Sequence, residues 1–318
     1  MLRARLLSVK PEPLALARAL CGRREAFLLW DATGASASYL GCDPLEVRHS
    51  LDPEPDVAPH SRGDLGRAPR WLGLLPYEAM RTAEARPGTA FAETRAEPHV
   101  TRPSWWRFGA VAEVTDHVRV IGDDPASIDH LCRVLGEGGA FDATRLALGA
   151  PLEAPNLHRA RITAALELIA VGHIYQVNLA RRFLLSVHGH PFAILASPGT
   201  RARFPYCAAL RLGGLDLVSS SPELFLKTSG RRVYTAPIKG TRPRGPHAEL
   251  DRALVRELSE SEKEAAELTM ILDVERNDLG RVAEAGTVRL LRGPSVTTYP
   301  TLHHRAALLG ATLRNNVD

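Results

Sequence analysis

The first half of the chain carries its apolar residues in short runs broken by turn residues. "AFLLWDATGASASYLGCDP" and "RWLGLLPYEAM" read as strands interrupted by Gly, Asp and Pro. "FGAVAEVTDHVRVIGDD" alternates as a hairpin does, and "PASIDHLCRVLGEG" then takes helical spacing with a glycine stop. "ALGAPLEAPN" predicts a loop, and a boundary there divides the chain into residues 1–155 and 156–318. Beyond it, "NLHRARITAALELIAVG" predicts a helix with Asn156 as N-cap and Gly172 just past its end.

"HIYQVNLARRFLLSV" predicts a strand, with Tyr175, Val177 and Leu179 on one face and Ile174, Gln176 and Asn178 on the other. Two amides on one face imply a wet surface or a polar pocket. In "LDLVSSSPELFLKTSGRRVYTAPIKG" two strand-like runs flank the turn signal "TSGR", which predicts a hairpin centred near Ser229 and Gly230. Counting outward, Glu223 faces Ala236 and Lys239 lies just beyond it, so a carboxylate and an amine meet at one end of the ladder. From His247 the pattern turns helical, with Leu254, Leu258, Ala265, Leu268 and Leu272 as a core stripe ending near Asn277 and Gly280.

Composition narrows the class without changing this outline. The 318 residues are 45% hydrophobic and 24% charged, as in ordinary globular proteins. With a net charge of only +4, 6% aromatic residues and no basic cluster interleaved with aromatics, no nucleic-acid groove is expected. No apolar run reaches the roughly 18 residues of a membrane helix, so no membrane partner is expected. "MLRARLLSVKPEP" lacks the cleavage site of a signal peptide. Cys21, Cys42, Cys132 and Cys207 show no C-x-x-C pairing and read as core thiols of a reducing compartment, which points to the cytoplasm.

Several polar residues could carry chemistry. Lys239 would act as a nucleophile if desolvation or the neighbouring Arg242 and Arg244 kept its amine neutral; otherwise it is a solvated loop lysine. Glu223 is a candidate general acid or a plain strand-end carboxylate. Glu267 is a candidate magnesium ligand or a helix-surface acid paired with a base. "ERNDLGR" is explained by capping and local salt bridges, and His303 and His304 point to opposite faces if "TLHHR" is a strand. No H-E-x-x-H, G-x-S-x-G, Walker A or G-x-G-x-x-G pattern is present.

Taken in order, "IYQVNLARRF", "SSSPELFL", "APIKGTRPRG", "ELTMILDVERNDLGRV" and "TYPTLHHR" resemble motifs of the chorismate-utilising enzymes. That family includes anthranilate synthase component I, aminodeoxychorismate synthase component I, and the isochorismate and salicylate synthases. The match covers residues 156–305, while "SYLGCDP" and "WLGLLPYE" resemble the divergent N-terminal domain loosely. The resemblance implies an α+β fold of two antiparallel sheets in a sandwich with surrounding helices.

Gln176 stands where isochorismate and salicylate synthases carry a water-activating lysine, and Lys239 where anthranilate synthases carry alanine. Both positions point to the aminodeoxychorismate synthase branch, with anthranilate synthase component I as the alternative. For that branch the resemblance implies that Glu223 protonates the leaving hydroxyl of chorismate and Lys239 attacks the ring. Glu267 would hold Mg²⁺, His304 would handle protons or orient the ring, and Gln176 and Thr241 would line the substrate pocket. A glutamine amidotransferase would supply ammonia.

Pro205, Tyr206 and Cys207 resemble one wall of the family's L-tryptophan pocket, but Asp31 stands in place of its serine, which leaves tryptophan binding open. Family motifs continue beyond "RAALLGATLRNNVD" with a P-G-G-S-x-T-G-A-P-K segment and a second metal-binding glutamate. The resemblance thus implies a C-terminally truncated catalytic region, with a fragment that binds but turns nothing over as a further reading.

Overall fold

A computed structural model of the chain describes residues 2–50, 68–76, 102–141, 144–196 and 204–315. The N-terminal strands are β1 (Arg3–Leu7), β2 (Ala26–Trp30), β3 (Ser38–Cys42), β4 (Glu46–Arg48), β5 (Trp71–Leu74), β6 (Ser104–Arg107), β7 (Ala110–Val114) and β8 (Val118–Gly122). A ribbon of β9 (Arg145–Pro151) and β10 (Phe183–His188) follows. Then come β11 (Tyr206–Leu212), β12 (Leu215–Ser221), β13 (Leu224–Ser229), β14 (Arg232–Ala236) and β15 (Ile238–Pro243). The last two strands are β16 (Arg289–Thr298) and β17 (Leu302–Thr312).

All named pairs are antiparallel, and two sheets dominate. The larger has seven strands in the order β1-β8-β7-β3-β2-β11-β12. Residues 206–221 therefore return to a sheet otherwise built from the first 122 residues. Helices α1 (Pro13–Ala17), α2 (Pro125–Glu137) and, later in the chain, a short helix of residues 191–196 cover one face. Leu16, Ile128, Leu131, Leu135, Phe192 and Leu195 form the core there with Leu28, Leu40 and Val120 of the strands. On the opposite face, Phe27, Val111 and Leu210 pack with Trp106 and Leu72 of the small β4-β6-β5 sheet.

The second large sheet is organised around β17, which pairs with β16 on one side and with β14 and then β15 on the other. Helix α3 (Pro155–Ala170) and the short helix α4 (Pro191–Ala196) precede it in the chain; α5 (Ala248–Glu260) and α6 (Glu262–Val282) follow β15. Ser261 is both the end of α5 and the N-cap of α6, its hydroxyl accepting from Glu264 N at 3.3 Å. The single helical stripe expected from the sequence is thus two helices meeting at a serine. Leu268, Leu272 and Leu279 of α6 pack on Val233, Ala307 and Leu309.

Other boundaries also moved. "ALGAPLEAPN" is no loop, because Arg145–Pro151 pairs with β10. The N-cap of α3 is Ala154, with Pro155 in the first turn, so Asn156 lies inside the helix. Gly172 does follow the helix, with φ +74°. Residues 173–182 form no strand, so the expected alternation of faces around Gln176 does not exist. Part of "RWLGLLPYEAM", from Tyr77 on, lies outside the described residues. No helix among the described residues is long and apolar enough to cross a membrane.

Leu268 has no exposed surface and anchors α6 to β17. Leu268→Ala is expected to lower the unfolding free energy by about 2–5 kcal/mol in urea titration, the range for a buried leucine truncated to alanine.

Candidate active site

The site grows from a step in the pairing of β15 with β17. Ile238 stands opposite Ala306 and Thr241 opposite His304, so Lys239 and Gly240 together face one residue, Arg305. Such a bulge bends a strand and re-aims its side chains. Gly240 has φ +94°, and a Cβ there would lie 2.8 Å from Leu258 Cδ1 and 3.1 Å from Glu264 Cδ. Only glycine takes this conformation against this neighbour without strain.

The bulge turns Lys239 toward α6, where its Nζ lies 3.6 Å from Glu267 Oε1. Gln176 Nε2 donates to the same oxygen at 3.1 Å. The irregular segment after α3 therefore reaches the site through one amide, although the strand predicted to present it is absent.

Glu223 sits where the chain leaves β12 for β13. Its NH donates to Ser221 Oγ at 3.3 Å, and its Oε1 accepts from Ile238 N at 2.9 Å. The hairpin pairs Ser229 with Arg232 across Gly230 and Arg231, and Leu224 rather than Glu223 stands opposite Ala236. The register is one residue off the sequence count, yet the carboxylate still reaches the backbone next to Lys239.

His303 and His304 point to opposite faces of β17. His303 is fully buried, its Nδ1 2.9 Å from Thr298 Oγ1 and its Nε2 2.9 Å from Asp251 Oδ1. His304 faces the site, its Nδ1 2.9 Å from Thr241 Oγ1, with its ring near those of Tyr299 and Phe204. Burial holds the His304 pKa below its ordinary value, against smaller upward pulls from the Gly240 backbone and the charge of Glu223.

Sequence reasoning missed Glu275. "ERNDLGR" forms the last two turns of α6, which runs on to Val282, a little past the expected end near Asn277 and Gly280. Glu275 is half-buried, and Thr235 Oγ1 donates to its Oε2 at 3.3 Å. Burial pushes its carboxyl pKa up; Thr235 opposes this, Glu223 and Asp278 add to it, and Lys239 pulls it down. Its spacing carried the signal: Glu275 falls three residues after Leu272 and four before Leu279, on the buried stripe of the helix.

Glu223, Lys239, Glu267, Gln176, Thr241 and His304 thus gather at the junction of the two large sheets, with Glu275 beneath. Glu267 offers the hard oxygen that Mg²⁺ prefers. Among the described residues it belongs to no group of three ligating side chains.

Of the expected tryptophan wall, Pro205 begins the turn into β11 and Tyr206 is 40% exposed. Cys207 is buried, with Sγ 3.5 Å from both the Phe204 carbonyl and Ser220 Oγ. Asp31 is buried and committed to its own turn, accepting from Thr33 N at 2.9 Å, Thr33 Oγ1 at 2.5 Å and Ser36 N at 2.7 Å.

Two outcomes test this geometry. In an NMR titration His304 is expected to have its midpoint below about 6.5, the ordinary histidine value. Glu223→Gln removes a charge that favours the imidazolium, so the midpoint should fall further; a rise would contradict the placement of Glu223. Gly240→Ala should cost about 1–3 kcal/mol of stability by denaturant unfolding, the range for a forced left-handed residue.

The family model of chorismate binding enzymes matches residues 42–318. Anthranilate synthase component 1 of Thermus thermophilus is 46% identical over 143 residues, 45% of this chain and 31% of that protein. Aminodeoxychorismate synthase component 1 of Escherichia coli is 30% identical over 287 residues, 85% of this chain and 60% of that protein. The crystal structure of anthranilate synthase component I from Streptococcus pneumoniae shares the fold, with TM-score 0.72 at 22% identity over 89% of this chain and 70% of that one. The chain therefore spans between about a third and two thirds of the curated relatives' lengths. With the match extending over most of its residues, the chain belongs to the chorismate binding enzyme family.

Proposed function

We propose that this chain carries the chorismate-aminating site of an aminodeoxychorismate synthase, with ammonia delivered by a glutamine amidotransferase. The observation that carries the reading is Lys239 on its bulge, an amine between the Glu267 carboxylate and the strand end held by Glu223.

Hydroxide leaves C4 of chorismate poorly, so Glu223 in its protonated form gives a proton to the departing oxygen. The neutral Lys239 amine attacks C2 as the ring double bonds shift, and water departs from C4. Ammonia then attacks C4, the double bonds shift back, and the C2–N bond breaks to release Lys239. One difficult displacement becomes two easier ones. Before the attack the Lys239 ammonium must lose a proton, and Glu267 is the carboxylate within ion-pair reach of it. Glu275, whose carboxyl pKa is raised by burial, lies close enough for its charge to interact with Lys239 and Glu223. A neutral His304 donates or accepts one hydrogen bond at the pocket edge while its Nδ1 stays with Thr241. Mg²⁺ bound partly by Glu267 would anchor a substrate carboxylate and withdraw electron density from the ring.

The higher local identity to an anthranilate synthase component favours a second reading, amination at C2 to give anthranilate. The product separates the two. With chorismate, ammonium and Mg²⁺, the complete catalytic region is expected to form 4-amino-4-deoxychorismate, trapped as 4-aminobenzoate by added lyase, and a mass adduct on Lys239, whereas the 318-residue chain by itself should show weak turnover or none. Lys239→Ala should lose both, and Glu223→Gln should lower kcat about 10²–10⁴-fold, the usual contribution of a positioned acid. Fluorescent anthranilate as product would assign the other branch. Undiminished turnover by Lys239→Ala would remove the nucleophile. Chorismate binding with neither product nor adduct would leave a binding module.

A further inference from the structure

Away from this site, at the far end of β3, three side chains of ligating type converge. Cys42 closes the strand, Asp43 follows it, and His130 projects from α2. Their Sγ, carboxylate oxygen and ring nitrogen all lie within 4.8 Å of one another. Asp43 has φ +52°, the only non-glycine residue of positive φ among the described residues, and its NH donates to Glu25 O at 3.0 Å. That left-handed turn, which aspartate tolerates better than most residues, places the carboxylate beside the preceding side chain instead of across the strand. Asp43 Oδ2 lies 2.8 Å from His130 Nε2, while Arg23 Nη1 stands farther off, 3.7 Å from the same oxygen.

We infer that Cys42, Asp43 and His130 form a binding site for a divalent transition metal of the zinc class, distinct from the chorismate site. The donor set is one thiolate, one carboxylate and one imidazole, the mixture Zn²⁺ takes, with a water free to complete the tetrahedron. Zinc bonds of about 2.0–2.3 Å place tetrahedral ligand atoms about 3.3–3.8 Å apart, about an ångström tighter than the widest spacing the three atoms can have here. Charge balances as well: one thiolate and one carboxylate neutralise the ion, with Arg23 near Asp43 Oδ2 as an outer partner.

An ordinary explanation competes, a carboxylate shared by an imidazole and a guanidinium. It uses the buried thiol only as a core group hydrogen-bonded to Asp43. A thiol binds the ion as thiolate, so uptake releases its proton and affinity should rise with pH. The bound ion would tie the end of β3 to α2, two elements of the seven-stranded sheet layer.

Cobalt(II), which reports thiolate ligation by its absorption, is the probe, applied to the untagged 318-residue chain. Expected is saturable one-to-one binding with a thiolate-to-cobalt charge-transfer band, its displacement by Zn²⁺, and a tighter apparent Kd at higher pH. Cys42→Ser and His130→Ala should abolish the band. Asp43→Asn, which keeps a residue suited to positive φ, should weaken binding at least tenfold while circular dichroism stays unchanged. Cys132→Ser should bind as the unaltered protein does. A folded chain that gives no thiolate band, or a band that survives Cys42→Ser or Asp43→Asn undiminished, would overturn the site. Native mass spectrometry of the unaltered chain supplies a result independent of any variant. One retained Zn²⁺ with loss of a thiol proton supports the site, and no retained ion refutes it.

Discussion

Two residues of β15 stand opposite one residue of β17, and the position of every polar group at the candidate site refers back to that step. Had the ladder continued evenly, Lys239 and His304 would have kept the ordinary two-residue alternation, and the amine would not lean toward α6. The step needs Gly240, because its φ is positive and because Leu258 and Glu264 of the paired helices press close. The helices in turn are held on the sheet by Leu268, Leu272 and Leu279. Core packing and pocket geometry are therefore one constraint seen from two sides.

The second organising fact is that the site lies where the chain passes between sheets. β12 ends the seven-stranded sheet at Ser221, and β13 begins the other at Leu224. Glu223 occupies that crossing and ties itself to β15 through Ile238 N. The rings of Phe204, Tyr299 and His304 meet at the same junction, with centroid distances of 5.0–6.2 Å. Tyr299 and Leu302, at the turn between β16 and β17, also pack against the core of the larger sheet. The Glu223 carboxylate on the crossing is as well placed as the packing of one sheet on the other, and no better.

What the sequence made legible follows from which interactions are local. The β7–β8 hairpin, α2 and the β13–β14 hairpin were readable from alternation, helical spacing and a glycine turn. The opposition of His303 and His304 followed from strand geometry alone. Three features resisted. "ALGAPLEAPN" has the composition of a loop but gains a partner thirty-odd residues on, which no local signal reports. The Gln176 segment has strand-like composition but pairs as no strand among the described residues, and Gln176 itself is tied over a long range, to Glu267. Glu275 looked like surface charge because its neighbours Arg276, Asn277 and Asp278 are polar; its place on the leucine stripe was the better guide. Family motifs picked out the residues that gather, whereas their convergence needed the β15–β17 bulge, which no count of positions marked.

The adjacent histidines have a consequence of a different kind. One is sealed between Thr298 and Asp251, and the next opens toward Thr241. Because neighbours in a strand face opposite ways, a slip of β17 by one residue would exchange their environments. Asp251 would keep the two N–H groups of Arg244 and the Gly245 NH but would no longer meet His303. The alignment of β17 therefore decides which imidazole is spent on structure and which is left to the pocket.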